Sequence, residues 1–226
     1  HFITFYAMLN CGCIYSCIYF ILLFLNQDFL NENEKCRSPL DQGHPPPKNK
    51  GMSYSYFSYE TELGEMTLVS DGKAIVTVLF GSGTLPGCFR EEDSILIEAI
   101  QELNQYIAGQ RKEFSVPVDP LGSDTERKIY FYVRDHVAYG KFITYERIAS
   151  ELDLPLETVE EALHTNSCPI WIPCHRVIGA DKKLRTYVGD RLKMKKGLLA
   201  FEHQHVNRDF VAPDYHDDDE DSGYKS

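Results

Sequence analysis

Hydrophobic and polar positions divide the chain into blocks of different period. From Ser53 onward short alternating apolar runs come first. Tyr54 with Tyr56 and Phe57–Tyr59, then Met66–Val69, then Ala74–Phe80 predict three strands, with Leu63-Gly64 and Asp71-Gly72 as the turns between them. The period then changes. Leu96, Ala99, Ile100, Leu103, Tyr106 and Ile107 share one helical face over Ser94–Ala108, and Gly109 closes that helix. Phe114–Val118 is a further extended run, ended by Asp119-Pro120.

The second half reads as helices. Ser123 and Glu126 form a Ser-x-x-Glu capping box ahead of a helix to Val137. Tyr139-Gly140 turns the chain, and Thr144 caps a short helix carrying Tyr145, Ile148 and Ala149. Asp153-Leu154-Pro155 breaks it, and Leu156–His164 continues with Leu156, Val159 and Leu163 inward, giving a helix-turn-helix arrangement. A basic helix is expected over Arg191–Glu202. The fold class is therefore α+β: a small three-stranded sheet with a helix, then a mainly helical domain. Expected boundaries are 1–52 (an apolar extension and polar linker), 53–120, 121–208 and an acidic tail, 209–226.

Charge changes this picture locally. The net charge is −11, which taken alone argues against nucleic acid. Yet Cys174–Arg208 holds nine basic and three acidic side chains, so cations gather in one stretch. Residues 2–25 carry no charge and have the length of a transmembrane or signal-anchor segment, translated non-coding sequence being the other reading. Seven cysteines, of which only Cys88, Cys168 and Cys174 follow residue 50, suit a reducing compartment rather than a disulfide framework.

The chemistry concentrates in Pro169-Ile170-Trp171-Ile172-Pro173-Cys174-His175-Arg176-Val177. Pro173 forces a break in regular structure, which sets Cys174 at a turn. Adjacent imidazole and guanidinium groups favour the nucleophilic thiolate. Cys-His alone also fits a buried cysteine beside a surface pair. An Asn eight residues before the cysteine, a preceding helix-turn-helix and a following Tyr187 narrow the choice.

With those residues in that order, 53–205 resembles the methylated-DNA–protein-cysteine methyltransferases. The resemblance implies a DNA repair protein that moves an alkyl group, mainly methyl, from O-6 of guanine to Cys174 in one irreversible turnover. It implies Cys174, His175 and Glu202 as a relay through water, and Tyr145, Asn166, Tyr187 and Val177 around the extruded base. Arg147, His164, Arg176 and Arg185 would meet the DNA. No cofactor is required; some members hold a structural zinc, but matching ligands are not evident. The implied partner is duplex DNA carrying O-6-alkylguanine, the expected state a monomer, and the expected location the nucleus, or a membrane if residues 2–25 span one. A nonreactive damaged-base-binding protein is the alternative.

Two stretches depart from the family pattern. Glu157 stands where an arginine normally enters the base stack, and Glu160 and Glu161 replace small residues on the same helix. In the Gly-rich segment around Tyr187 only Gly189 remains, with Arg185 and Arg191 nearby. The acidic helix leaves three readings: a shifted register in which a residue such as Arg147 serves instead, weakened duplex binding, or a changed substrate. The larger side chains around Tyr187 suggest a narrowed site that favours methyl over bulky adducts.

Overall fold

The computed structural model describes residues 53–206 apart from 186, 189 and 190. The expectations for the apolar extension, the linker, Gly189 and the acidic tail lie outside the described residues. The chain divides into two compact units at Leu121/Gly122.

In the first unit β1 (Tyr54–Thr61), β2 (Gly64–Ser70) and β3 (Ile75–Phe80) form an antiparallel meander. Gly64 and Gly72 take positive φ at the two turns, a conformation a Cβ would strain. A fourth strand, β4 (Cys88–Arg90), pairs parallel with the start of β1, so the sheet order is β3-β2-β1-β4. Three residues after a Gly- and Pro-containing loop leave no alternation to read, which is why the sequence pattern missed it. The extended run Phe114–Val118 contributes a bridge from Val118 to Ile75.

Helix α1 (Ser94–Ile107) is capped by Asp93, whose side chain accepts from Leu96 N. It buries Leu96, Ala99, Leu103, Tyr106 and Ile107. Met66 to Ser70 are all buried, so β2 is covered on both faces rather than one. Tyr54, Tyr56, Val69 and Val76 make one such cluster, with Leu85 and Cys88 against it. Glu102 is also buried. Its carboxylate accepts from the backbone of Ser115 and Val116 and pairs with Arg111 at 2.9 Å, fastening the segment after α1.

The second unit begins with α2 (Asp124–His136), where the Ser123–Glu126 capping box forms as the sequence indicated. The two-residue strand β5 (Ile143–Thr144) leads into α3 (Tyr145–Leu152), capped by Thr144. Asp153 in the left-handed region ends α3, and α4 (Leu156–His164) follows Pro155. A 3-10 turn (Cys174–Arg176) runs into β6 (Val177–Ile178), which pairs parallel with β5. The last helix, α5 (Leu192–Val206), continues beyond Glu202, because no breaking residue intervenes and His203 and His205 bond the carbonyls of Leu199 and Phe201.

Replacing the α2 cap by Ser123→Ala is expected to destabilise the protein by about 1 kcal/mol. Chemical denaturation would show it as a lower midpoint with unchanged slope.

Candidate active site

Cys174 opens the 3-10 turn that leads into β6, and that turn packs against the last helix, α5. The apolar residues Ile170, Trp171, Ile172, Val177 and Ile178 are buried and hold the segment as part of the core. Ile170 has φ +78°, which for a β-branched residue costs about 1 to 3 kcal/mol and is sustained by its surroundings. Pro169 bridges to Ile172, and Asn166 bonds the same loop from within. The Asn166 amide donates to Ile172 O at 3.0 Å, and its Oδ1 accepts from Cys168 N at 3.0 Å. The same Nδ2 lies 3.1 Å from Cys174 Sγ. Asn166 thus fixes the turn and touches the sulfur.

Cys174 is buried, and burial pushes its thiol up to about 11. Asn166, the Lys195 ammonium and the backbone amides of Cys174 and His175 oppose that shift. Lys195 is wholly buried too, which brings its amine down to about 8, with Cys174 acting the other way. Its Nζ donates to Tyr145 Oη at 2.9 Å and approaches Arg185 O at 3.5 Å. Tyr145 and Tyr187 are both buried, and desolvation, reinforced by the neighbouring Cys174, keeps their phenols protonated. The sulfur therefore shares its electrostatic surroundings with one amide, one amine and two phenols.

Glu202 organises the other side. His175 Nε2 is 2.9 Å from its Oε1. A carboxylate only accepts, so Nε2 carries the proton and Nδ1 is left as the acceptor of a neutral ring. Burial lowers the His175 pKa more than Glu202 raises it, which favours that neutral form. His175 Nδ1 is buried without a hydrogen-bond partner among the described residues. Burial would raise the Glu202 pKa, but His175 and Arg176 together drive it far below the ordinary carboxylate range.

Arg176, expected at the DNA, is buried and turned inward: its Nε and Nη2 donate to the two Glu202 oxygens at 2.9 Å each, and Nη1 donates to Val137 O at 2.7 Å. The guanidinium also lies over the Tyr139 ring. Gly140 N also donates to Glu202 Oε2 at 3.0 Å. A planar fork matches a carboxylate better than any single donor, and burial makes that match decisive.

The remaining expected DNA contacts are dispersed. Arg147 is exposed on α3 and paired with Glu151 at 2.7 Å. Glu157 is exposed in the first turn of α4, and Glu161 is exposed one turn further on. His164 is half-buried at the end of that helix. Arg185 lies between Glu160 and Asp181. Val177 is fully buried beside β5. Among the described residues no group of three or more His, Cys, Asp or Glu is arranged to hold a metal ion. No helix there is long and apolar enough to cross a membrane.

The sequence pattern assigned Lys195 no part in the site, placing only a basic helix over Arg191–Glu202. A signal existed: Lys195, Leu198, Leu199 and Glu202 share one helical face, and a lysine on an apolar stripe is a candidate for burial. The amide of Gly140 left no comparable trace. Glu202→Gln leaves Arg176 charged, buried and without its counter-ion, and is expected to destabilise the fold by about 3 to 5 kcal/mol, measurable by denaturant unfolding. The wild-type contribution is present above the ordinary glutamate pKa and declines as pH falls toward the depressed folded value.

The geometry has counterparts among known proteins. Residues 54–120 match the family model "6-O-methylguanine DNA methyltransferase, ribonuclease-like domain", and 124–204 match "6-O-methylguanine DNA methyltransferase, DNA binding domain". The constitutive methylated-DNA–protein-cysteine methyltransferase of Bacillus subtilis is 34% identical over 161 residues, covering 67% of this chain and 96% of that protein. A Methanosarcina acetivorans methylated-DNA–protein-cysteine methyltransferase is 32% identical, covering 65% of this chain and 97% of its own length. The crystal structure of Mycobacterium tuberculosis OGT in complex with DNA superposes with a TM-score of 0.61 at 29% identity, covering 67% of this chain and 94% of that one. On this evidence the chain belongs to the methylated-DNA–protein-cysteine methyltransferase family.

Proposed function

We propose that the protein repairs DNA by taking the alkyl group of O-6-alkylguanine onto Cys174, once per molecule. The observation that carries the reading is the joining of Asn166, Cys174, His175 and Glu202 within one buried cluster. The similarity to OGT, whose solved complex contains DNA, supports duplex DNA as the partner.

The sulfur attacks the alkyl carbon, forming a C–S bond as the C–O6 bond breaks. The bonding pair leaves with the guanine oxygen. Because the resting thiol is neutral, its proton has to depart as the bond forms. The free Nδ1 of neutral His175 is the acceptor, reached through a water, and Glu202 stabilises the resulting imidazolium. The departing guanine takes a proton or a hydrogen bond in return, and the protonated phenols of Tyr145 and Tyr187, which share the sulfur's electrostatic surroundings, are the donors for it. Lys195 acts as a positioning residue by holding the Tyr145 phenol and favouring the thiolate. A thioether has no leaving group for water to displace under these conditions, so the alkylated protein is an end product.

A base in a duplex must leave the stack before the buried sulfur can reach it, costing a few kcal/mol. Glu157 does not supply the usual cation for the gap, and Arg147 is already paired with Glu151. Duplex affinity is therefore expected to be weak and to depend only shallowly on salt, since fewer phosphates are neutralised. The alternative of damaged-base binding without chemistry is disfavoured by the Asn166–Cys174 contact, which orients a sulfur that mere binding does not need. The two relatives described above are bacterial and archaeal and lend nothing to a nuclear location.

Incubation with duplex DNA containing one O-6-methylguanine is expected to leave one methyl group per chain, mapped to Cys174 by peptide mass spectrometry. Unmodified Cys174 after prolonged reaction would overturn the reading. The pH profile has a defined form. Transfer of the thiol proton to neutral His175 leaves the protons of the site unchanged, so that step does not vary with pH while the ring is neutral. The supporting Lys195 ammonium is lost above about 8. The single-turnover rate is thus expected to be level up to about pH 8 and to fall above it, whereas Lys195→Met is expected to be slow throughout. A wild-type rate still level or climbing well beyond pH 9 would remove Lys195 from the mechanism.

A further inference from the structure

Two of the residues that break the family pattern meet each other. Glu160 lies on α4, and Arg185 lies in the turn that follows the cysteine segment. Arg185 Nε is 3.8 Å from Glu160 Oε1, and its Nη2 is 3.7 Å from Asp181 Oδ2. The guanidinium rests beside Gly179: a Cβ there would stand 3.0 Å from Arg185 Nε and would crowd Asp181 Oδ1, so a larger residue would have to push both side chains aside.

The turn is tied to the helix pair at a second point. Glu146 on α3 accepts from Ala180 N at 3.0 Å. Within the turn, Gly179 N bonds Lys183 O, Lys182 N bonds Gly179 O, and Asp181 accepts from Lys183 N. Both short helices thus grip the segment through carboxylates. The grip adjoins the reaction site, because the Arg185 carbonyl is approached by Lys195 Nζ, which also bonds Tyr145. Glu160 and Arg185 both lie close enough to bias the Tyr145 phenol, in opposite directions.

We propose that Glu160 and Arg185 form a latch over the alkyl-accepting site that admits a methyl group and resists larger adducts. The latch rests on the functional reading above and adds to it a determinant of substrate size. It also gives Glu160 a part other than repelling phosphate: its charge is turned toward Arg185. Contacts of 3.7 to 3.8 Å are longer than hydrogen bonds, and Arg185 and Glu160 side chains are 41% and 34% exposed. Such a pair holds by charge and yields to salt. Changing the room at a substrate's alkyl group by one side chain alters discrimination by about tenfold or more.

The test compares single-turnover rates on two free bases, O-6-methylguanine and O-6-benzylguanine, so that DNA affinity does not enter. In Glu160→Ala and Arg185→Ala the benzyl-to-methyl rate ratio is expected to rise by about tenfold. In the wild type the same ratio is expected to rise as salt increases from about 0.1 to about 1 M, and in Glu160→Ala to be insensitive to salt. A simple loss of folding lowers both rates together and does not produce a salt-dependent ratio in the wild type alone. An unchanged ratio in both variants, or a wild-type ratio indifferent to salt, overturns the latch while leaving alkyl transfer intact. Failure of the wild type to acquire methyl on Cys174 even from methylated duplex overturns the functional reading and the latch with it.

Discussion

The carboxylate of Glu202 is the constraint on which the second unit depends. It is withdrawn from water, so its charge has to be met inside the protein. The chain meets it with donors from two other segments: His175 Nε2 and two nitrogens of Arg176 in one, and the amide of Gly140 in the other. One acceptor group thereby fixes the last helix against the 3-10 turn and the loop before β5. The same contacts determine which imidazole nitrogen carries a proton. Folding and proton handling rest on the same atoms, and a change at Glu202 affects both.

The cysteine sits in an environment that opposes its reactivity at rest. Burial raises the thiol, and only part of that shift is returned by Asn166, Lys195 and two backbone amides. A cysteine used once gains from this arrangement. A persistently ionised thiolate would be open to oxidation and to adventitious electrophiles, whereas a thiol that ionises as the alkyl group arrives spends its single reaction on the substrate. The amine of Lys195 is the complementary half: desolvation weakens its charge, while a thiolate nearby strengthens it. The two groups therefore favour ionisation together.

The helix pair shows how charge that seems misplaced in sequence finds a local counterpart. Glu146, Glu151 and Glu160 each engage a group on the protein itself: the amide of Ala180, Arg147 and Arg185. Glu157 and Glu161 remain on the exposed surface of α4. The acidic character of the helices thus divides into a part that braces the site and a part that faces outward. Arg176 illustrates the converse. A cation beside a nucleophilic cysteine reads as a DNA contact, yet it is consumed by a carboxylate of the interior.

The sequence by itself determined the α+β order, the caps at Ser123 and Thr144, the break at Asp153 and the bounds Leu156–His164. Each of these follows from local physics: periodicity, a side chain that can bond its own backbone, or a proline that cannot donate. The Pro-Cys-His-Arg run with Asn166 pointed to the chemistry because the residues that act there are close along the chain. Tertiary structure decided the rest. The strand Cys88–Arg90 exists only through pairing with β1. The burial of Lys195, the assignment of Arg176 to Glu202 and the meeting of Arg185 with Glu160 all join residues distant in sequence. No pattern along a chain states which opposite charges will share a dielectric interior, since that depends on how the segments between them fold.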